Sequence, residues 1–346
     1  MSDQRTVSGV IPTFADQRWH DLVEAVDSVR HQTYPPSDVV VVVDHNPGLL
    51  ARACSELTDV RVVPNTCARG ASGARNTGLK ASRGEIVAFV DDDVVPSPDW
   101  LERLVGHFED DSVLGVGGRL DAWWATGRPA WFPPEFDWVV GASYRGMPVT
   151  MAPVRNVWSA NLAVRRDVLE RVGGFREDFG RVGTHARPED TDLCLRVTRS
   201  LGGRWLYDPT ARAGHKVPEH RATFGFFVRR CYQEGRGKAD LWALDGAAAA
   251  TATERSFSAR VLPAGILAGV AQSLRGDPYG VVRSAVITWG FLTTAFRFVL
   301  GRAFFGSPIP QPPPKAAKRA LAARRCGTVR RGPAAGSPSS PRGGEP

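Results

Sequence analysis

Three adjacent carboxylates, Asp91-Asp92-Asp93, follow directly on the apolar run Ile86-Val87-Ala88-Phe89-Val90. So much negative charge at the end of a buried segment is costly unless a positive group compensates it. An all-oxygen donor set favours a hard ion such as Mg2+ or Mn2+. Acidic turns also serve calcium sites and phosphatases, so the run needs context. A D-x-D-x-T phosphatase motif is excluded because Val95 stands where the Thr belongs, and the Gly and distal Glu of an EF-hand loop are absent. Three further groups could act with the run: Asp44 after residues 39–43, Asp190 at the start of a helical segment, and His215 beyond residues 204–207. For Asp190 the competing reading is ordinary helix-start charge, since the positive end of a helix favours carboxylates. For His215 it is a surface histidine in a turn.

An open α/β sheet is predicted to position these groups. Residues 6–11 read as a short strand ended by Pro12, and residues 17–31 as a helix with Leu22, Val23, Val26 and Val29 at helical spacing. The β-branched run 39–43 reads as a strand buried on both faces, as in a parallel sheet. Residues 61–63 form another strand, 70–81 a Gly-rich loop feeding a helix, and 85–90 a third buried strand. In such sheets ligands bind beyond the carboxyl ends of the strands, where Asp44 and the Asp91 to Asp93 run both fall. Downstream, residues 167–172 read as a short helix ended by Gly173-Gly174, and 189–200 as a longer helix. Residues 204–207 read as a strand, with His215 in a turn just past it.

From residue 119 to 160 the texture changes. Trp123, Trp124, Trp131, Trp138 and Trp158 fall among prolines with little periodicity, as an acceptor cleft or as packed core aromatics. Residues 261–271 are apolar but too short to cross a bilayer, which needs about 20 residues. Residues 284–300 approach that length yet contain Gly290 and Arg297. They read as an interfacial or partly inserted helix, with a buried helical subdomain as the alternative. Residues 307–314 form a proline linker.

With 42% apolar and 23% charged residues, the chain as a whole is not of a disordered type. Its five cysteines are scattered and form no C-x-x-C pair, which speaks against a zinc site or a disulfide framework and for a reduced, cytosolic compartment. Residues 1–6 are polar with no apolar signal core, so the catalytic part is expected to be cytoplasmic. The net charge of +8 suggests nucleic acid at first. However, residues 313–346 carry eight basic side chains against Glu345, a net +7, which leaves +1 for everything before them. No nucleic acid is therefore expected as a partner. The tail suits an anionic membrane surface, or is a solvated end.

Taken in order, Ile11-Pro12-Thr13, Val43-Asp44, Gly70-Ala71-Ser72-Gly73-Ala74-Arg75-Asn76-Thr77-Gly78 and Phe89-Val90-Asp91-Asp92-Asp93 resemble the family 2 inverting glycosyltransferases of the GT-A fold. The likeness continues through Gly173-Gly174-Phe175, Glu189-Asp190-Thr191-Asp192-Leu193 and Gly214-His215, over roughly residues 5–240. Trp131-Phe132-Pro133, Glu135-Phe136-Asp137-Trp138 and Glu234-Gly235-Arg236-Gly237-Lys238 resemble a narrower branch. That branch includes glucuronosyltransferases acting on glucosyl-dolichyl-phosphate-type lipids.

The resemblance implies a GT-A type, mostly parallel nucleotide-binding sheet flanked by helices, with a C-terminal apolar helical appendage. Residues 1–240 would be the catalytic domain, 241–306 an apolar, membrane-associated helical region and 307–346 the basic tail. It also implies roles for residues. Pro12, Thr13 and Asp44 would line the nucleoside pocket, Arg75 would pair with the donor, Asp91 would approach the ribose, and Asp92 belongs to the same donor set. Asp93 and His215 would hold Mn2+ or Mg2+ against the diphosphate. Asp190 would be the base that an inverting transfer needs.

The expected enzyme is thus an inverting hexosyl or glycuronosyl transferase. It would move one sugar from a nucleotide-sugar, UDP-linked, to a lipid-linked or saccharide acceptor in polysaccharide or glycolipid biosynthesis, at the inner face of the cell membrane. Arg155 or Arg187 would meet the carboxylate of a uronic acid donor. A Q-x-x-R-W motif is missing after Arg229-Arg230-Cys231-Tyr232-Gln233, which disfavours polymer synthesis, and Trp158 stands where relatives have a small residue. The alternatives are a nucleotidyltransferase of similar architecture and a non-catalytic sugar- or lipid-binding protein. A dinucleotide oxidoreductase is disfavoured because no G-x-G-x-x-G follows the first strand.

Overall fold

The computed structural model describes residues 5–182, 185–245 and 254–304. Strand β1 (Val7–Thr13) leads through a 3-10 turn at Asp16–Arg18 into α1 (Trp19–Arg30). There follow β2 (Asp38–Val43), α2 (Pro47–Glu56), β3 (Arg61–Pro64), α3 (Ala71–Ala81) and β4 (Ile86–Val90). These four strands pair in parallel in the order β3-β2-β1-β4. The β-branched run of β2 feeds two cores at once. Val39, Val41 and Val43 face one hydrophobic cluster, and Val40 and Val42 face the other. Burial on both faces is what an unbroken apolar strand demands.

Beyond β4 come β5 (Val94–Pro96), α4 (Trp100–Val105), β6 (Val113–Trp124), β7 (Ala152–Val154) and β8 (Asn161–Arg165). Next are α5 (Arg166–Val172), the small pair β9 (Gly180–Val182) and β10 (His185–Arg187), α6 (Glu189–Leu201) and β11 (Arg204–Val217). The main sheet continues from β4 as β8-β6-β11-β5, with β7 also on β11. Here β4–β8, β8–β6 and β11–β5 are antiparallel, while β6–β11 is parallel. The sheet is therefore parallel in its first half and mixed in its second.

Two strands run further than their sequences suggest. Pro12 does not end β1. The strand stays paired with β2 as far as Thr13, whereas its pairing with β4 stops at Val10, and a proline is tolerated where one side of a ladder has ended. His215 is not in a turn. It lies inside β11, opposite Val94 of β5 and Ala122 of β6. Between Asp208 and Arg212, a stretch that includes Pro209, the register of β11 against β6 shifts, and the strand resumes beyond this bulge. The side chain of Asn161 fills the break. It accepts from Trp100 Nε1 at 2.7 Å and from the Gly118 N–H, and donates to the carbonyls of Arg119 and Ala211.

The chain closes with α7 (Phe224–Asp245), α8 (Leu262–Leu274) and α9 (Gly280–Phe304). The apolar helix containing α8 runs from Glu254 to Leu274, longer than the stretch legible in sequence, because a π-helical turn at Phe257–Val261 carries it through. By length and composition alone, this helix and Gly280–Ala303 could each cross a membrane. A third hydrophobic cluster, with Phe132, Phe136, Phe227, Leu262 and Ile287, joins these helices to the aromatic stretch after β6. Trp131 and Trp138 pack against it, while Trp123 is half exposed. Residue 240 falls within α7, so the expected domain boundary there interrupts a helix. The proline linker and basic tail lie outside the described residues.

Candidate active site

The carboxyl ends of β1, β2 and β4 lie side by side, and the turn between β4 and β5 carries the three aspartates. Each points differently. Asp91 accepts from Arg75 Nη2 at 2.7 Å, and Arg75 Nη1 reaches Glu189 at 3.0 Å. Arg75 is buried on α3, so a single guanidinium clamps the end of β4 to the first turn of α6. Burial works against its charge, but Asp91, Glu189 and Asp190 hold it firmly protonated. Asp92 turns inward, accepting from Thr13 Oγ1 and Arg18 Nη1, each at 2.7 Å. Burial raises it to about 6 against the opposing pull of Arg18.

Asp93 faces the other way. Its Oδ1 lies 3.4 Å from His215 Nε2, and its Oδ2 lies 3.2 Å from Arg18 and 3.6 Å from Arg221. Burial would raise this carboxyl, but His215 and the two guanidiniums hold it well below the usual range. The His215 Nδ1 is 3.0 Å from the Gly141 carbonyl oxygen. A carbonyl only accepts, so Nδ1 carries a proton, and Nε2 is the ring nitrogen turned towards Asp93. Gly141 has φ +80, and a Cβ there would come 2.5 Å from the imidazole.

Asp190 sits at the start of α6, where the helix dipole favours a carboxylate. Its Oδ1 is buried without a hydrogen-bond partner. Burial first, and then Glu189, raise the group to about 7, while Arg75 and the Ser159 hydroxyl oppose the rise. Asp44 is buried beneath the N-terminus of α3. Its Oδ1 accepts from Asn65 and lies 2.8 Å from His45 Nδ1, and its Oδ2 accepts from the Gly70 N–H at 2.9 Å.

Residues 8–173 match the family described as Glycosyl transferase family 2. The glucosyl-dolichyl phosphate glucuronosyltransferase of Haloferax volcanii is 36% identical over 237 residues, which are 67% of this chain and 76% of that protein. The chain belongs to glycosyl transferase family 2. Glycosyltransferase AglE of the same organism is 29% identical over 250 residues, 69% of this chain and 75% of its own. A mannosyltransferase from Pyrobaculum calidifontis, solved with GDP-mannose and Mn2+, superposes with a TM-score of 0.51 at 20% identity. The match covers 94% of this chain and 81% of that one, and establishes a shared GT-A fold. The chain is a transferase by these relatives, with a dolichyl-phosphate glycosyltransferase among them.

In this family 2 glycosyltransferase, Asp91, Arg75 and Asp190 gather on one side, and Asp93 with His215 on the other. Thr13 and Asp92 are spent on each other and on Arg18, and Pro12 lies beside them in β1. Arg155 and Arg187, expected at a donor carboxylate, are already paired. Arg155 grips Glu254 with both Nη atoms at 2.7 and 2.8 Å, and Arg187 meets Asp240 at 3.1 Å. Sequence reasoning missed Arg18, Arg221 and Glu189. The signal was the charge imbalance of the aspartate run. Arg18 and Arg221 each lie one short 3-10 turn beyond a strand that ends at the site.

Proposed function

We propose that the chain transfers a single sugar from a nucleotide-sugar, UDP-linked, to a hydroxyl of a lipid-linked saccharide, with inversion at the anomeric carbon. The observation that carries this reading is Asp190, a carboxylate with one buried, unpartnered oxygen and an affinity for protons raised to about 7. A general base works best with a pKa near the operating pH. Asp190 accepts the acceptor hydroxyl proton as that oxygen bonds to the anomeric carbon. The bond from that carbon to the donor phosphate breaks on the opposite face, and the nucleoside diphosphate departs with its electrons.

The donor side follows from the other aspartates. Asp91, the one least buried, reaches towards the ribose, and Asp44 and Pro12 border the base. Asp93 and His215, whose Oδ1 and Nε2 lie 3.4 Å apart, would hold the ion once Nε2 is unprotonated, a mixed set that suits Mn2+ and also accepts Mg2+. Among the described residues no group of three or more such side chains converges, so donor phosphates and water would complete the shell. When bound, the ion neutralises charge on the departing diphosphate. Arg18 and Arg221 flank Asp93 and add positive charge at the same place.

The test is a donor screen with Mn2+ across UDP-, GDP- and dTDP-sugars, repeated on Asp190→Asn. Transfer should vanish in the variant while UDP binding persists. Unchanged turnover removes Asp190 from the mechanism, and release of pyrophosphate would indicate nucleotidyl transfer instead.

A further inference from the structure

The two apolar helices at the chain's C-terminal side do not project from the catalytic part. They lie along it. At one end Arg283 donates to the Ala130 carbonyl at 2.8 Å, and also binds Gln272 of α8 and Asp277 of the connecting turn. Further along, Thr294 donates to the Cys231 carbonyl of α7. Gly290 and Gly301 leave no room for a side chain against Phe136 and Ala239. From Arg283 to Gly301, α9 is held over about 27 Å at ~1.5 Å per residue. On α8, Gly265 rests on the Glu135 carboxylate.

The opposite faces are apolar and uncovered. Leu267, Val270 and Leu274 on α8, and Trp289, Leu292 and Phe296 on α9, recur at three- and four-residue spacing and are 42–85% exposed. Only 17% of one apolar window and 28% of the other is buried. Charge is distributed to match. Residues 255–346 hold fourteen basic and two acidic side chains, whereas residues 1–254 carry a net −4. Arg275 and Arg302 are exposed at the ends of the helices, and Arg260 is exposed at the π-helical turn before α8.

We propose that the outward face of the α8–α9 hairpin lies flat in the interface of an anionic bilayer, and that neither helix crosses it. This rests on the lipid-linked acceptor proposed above, and adds the surface and the geometry. A crossing hairpin would carry its turn about 30 Å away, to the far side of the hydrocarbon. Here Arg283, in the first turn of α9, binds Asp277 of the connecting turn and donates to the Ala130 carbonyl of the catalytic part. An in-plane helix with an apolar face and basic flanks has the chemistry that anionic lipid attracts.

Flotation of the full-length protein with phosphatidylglycerol and with phosphatidylcholine vesicles tests the surface. Partitioning should favour the anionic vesicles about tenfold or more. It should fall by a similar factor in Trp289→Glu/Leu292→Glu/Phe296→Glu, a variant whose donor hydrolysis reports that it has folded. Labelling of Arg275→Cys, added to preformed vesicles, tests the geometry. A membrane-impermeant maleimide should modify position 275 without detergent, as read by peptide mass. Protection of that position until detergent is added overturns the in-plane geometry while leaving the lipid-linked reading intact. Equal binding to both vesicles, no binding to either, or a solution dimer that masks the same face each overturns the proposed surface.

Discussion

The imidazole of His215 turns its Nε2 towards Asp93 Oδ1 across 3.4 Å, because its Nδ1–H donates to the Gly141 carbonyl. With Nε2 unprotonated, the imidazole and the carboxylate would form half of the proposed cation site. Removing either should abolish the Mn2+ dependence of UDP binding. The check is a calorimetric titration of UDP with and without Mn2+, on Asp93→Asn and His215→Ala.

Gly141→Ala tests the orientation rather than the ligand. At φ +80, with a Cβ 2.5 Å from the imidazole, the ring must turn or the turn must open. Disturbing the support of a metal-bound histidine typically costs roughly 10–100-fold in metal affinity. A Mn2+ titration of donor hydrolysis should show that loss, with recovery at saturating metal.

Asp190→Asn should lower transfer by about 10²–10⁴-fold, the usual contribution of a placed base. In the wild type kcat/KM should rise with pH through about 7, since the base must be ionised and burial raises its pKa to that region. A flat profile from pH 5 to 9 would exclude this assignment.

Arg75 lowers the pKa of Asp190 while neutralising Asp91 and Glu189. Arg75→Met should therefore move the acid limb of that profile to higher pH. Leaving these partly buried carboxylates without their buried partner also costs about 1–3 kcal/mol. Urea unfolding measures the second effect and the pH profile the first.

Asn161→Ala removes a side chain that uses both donors and its acceptor oxygen to bridge the β6–β11 break. Several buried groups are then left unsatisfied, at about 1–3 kcal/mol each. The expected result is a loss of at least about 2 kcal/mol in urea unfolding, together with weakened Mn2+ dependence as β11 loses its register.

The parallel half of the sheet was legible because its strands are unbroken β-branched runs, and burial on both faces leaves no other pattern. The aspartate turn and the Asp190 helix start were legible for the same local reasons. The strand that holds His215 was not, because Pro209 reads as a terminator and only Asn161, nearly fifty residues upstream, bridges the gap. Arg18 and Arg221 were equally opaque. A guanidinium on a long stem is assigned to a carboxylate only by packing, and no spacing rule announces it.

The Arg75 clamp bears on the order of events. Its charge is shared between Asp91, on the proposed donor side, and the two acids of α6, on the proposed acceptor side. A ribose that draws Asp91 away would leave that charge to Glu189 and Asp190, favouring the ionised base. Occupancy of one half of the cleft would thus arm the other. Such a relay would favour binding the nucleotide-sugar before the hydroxyl.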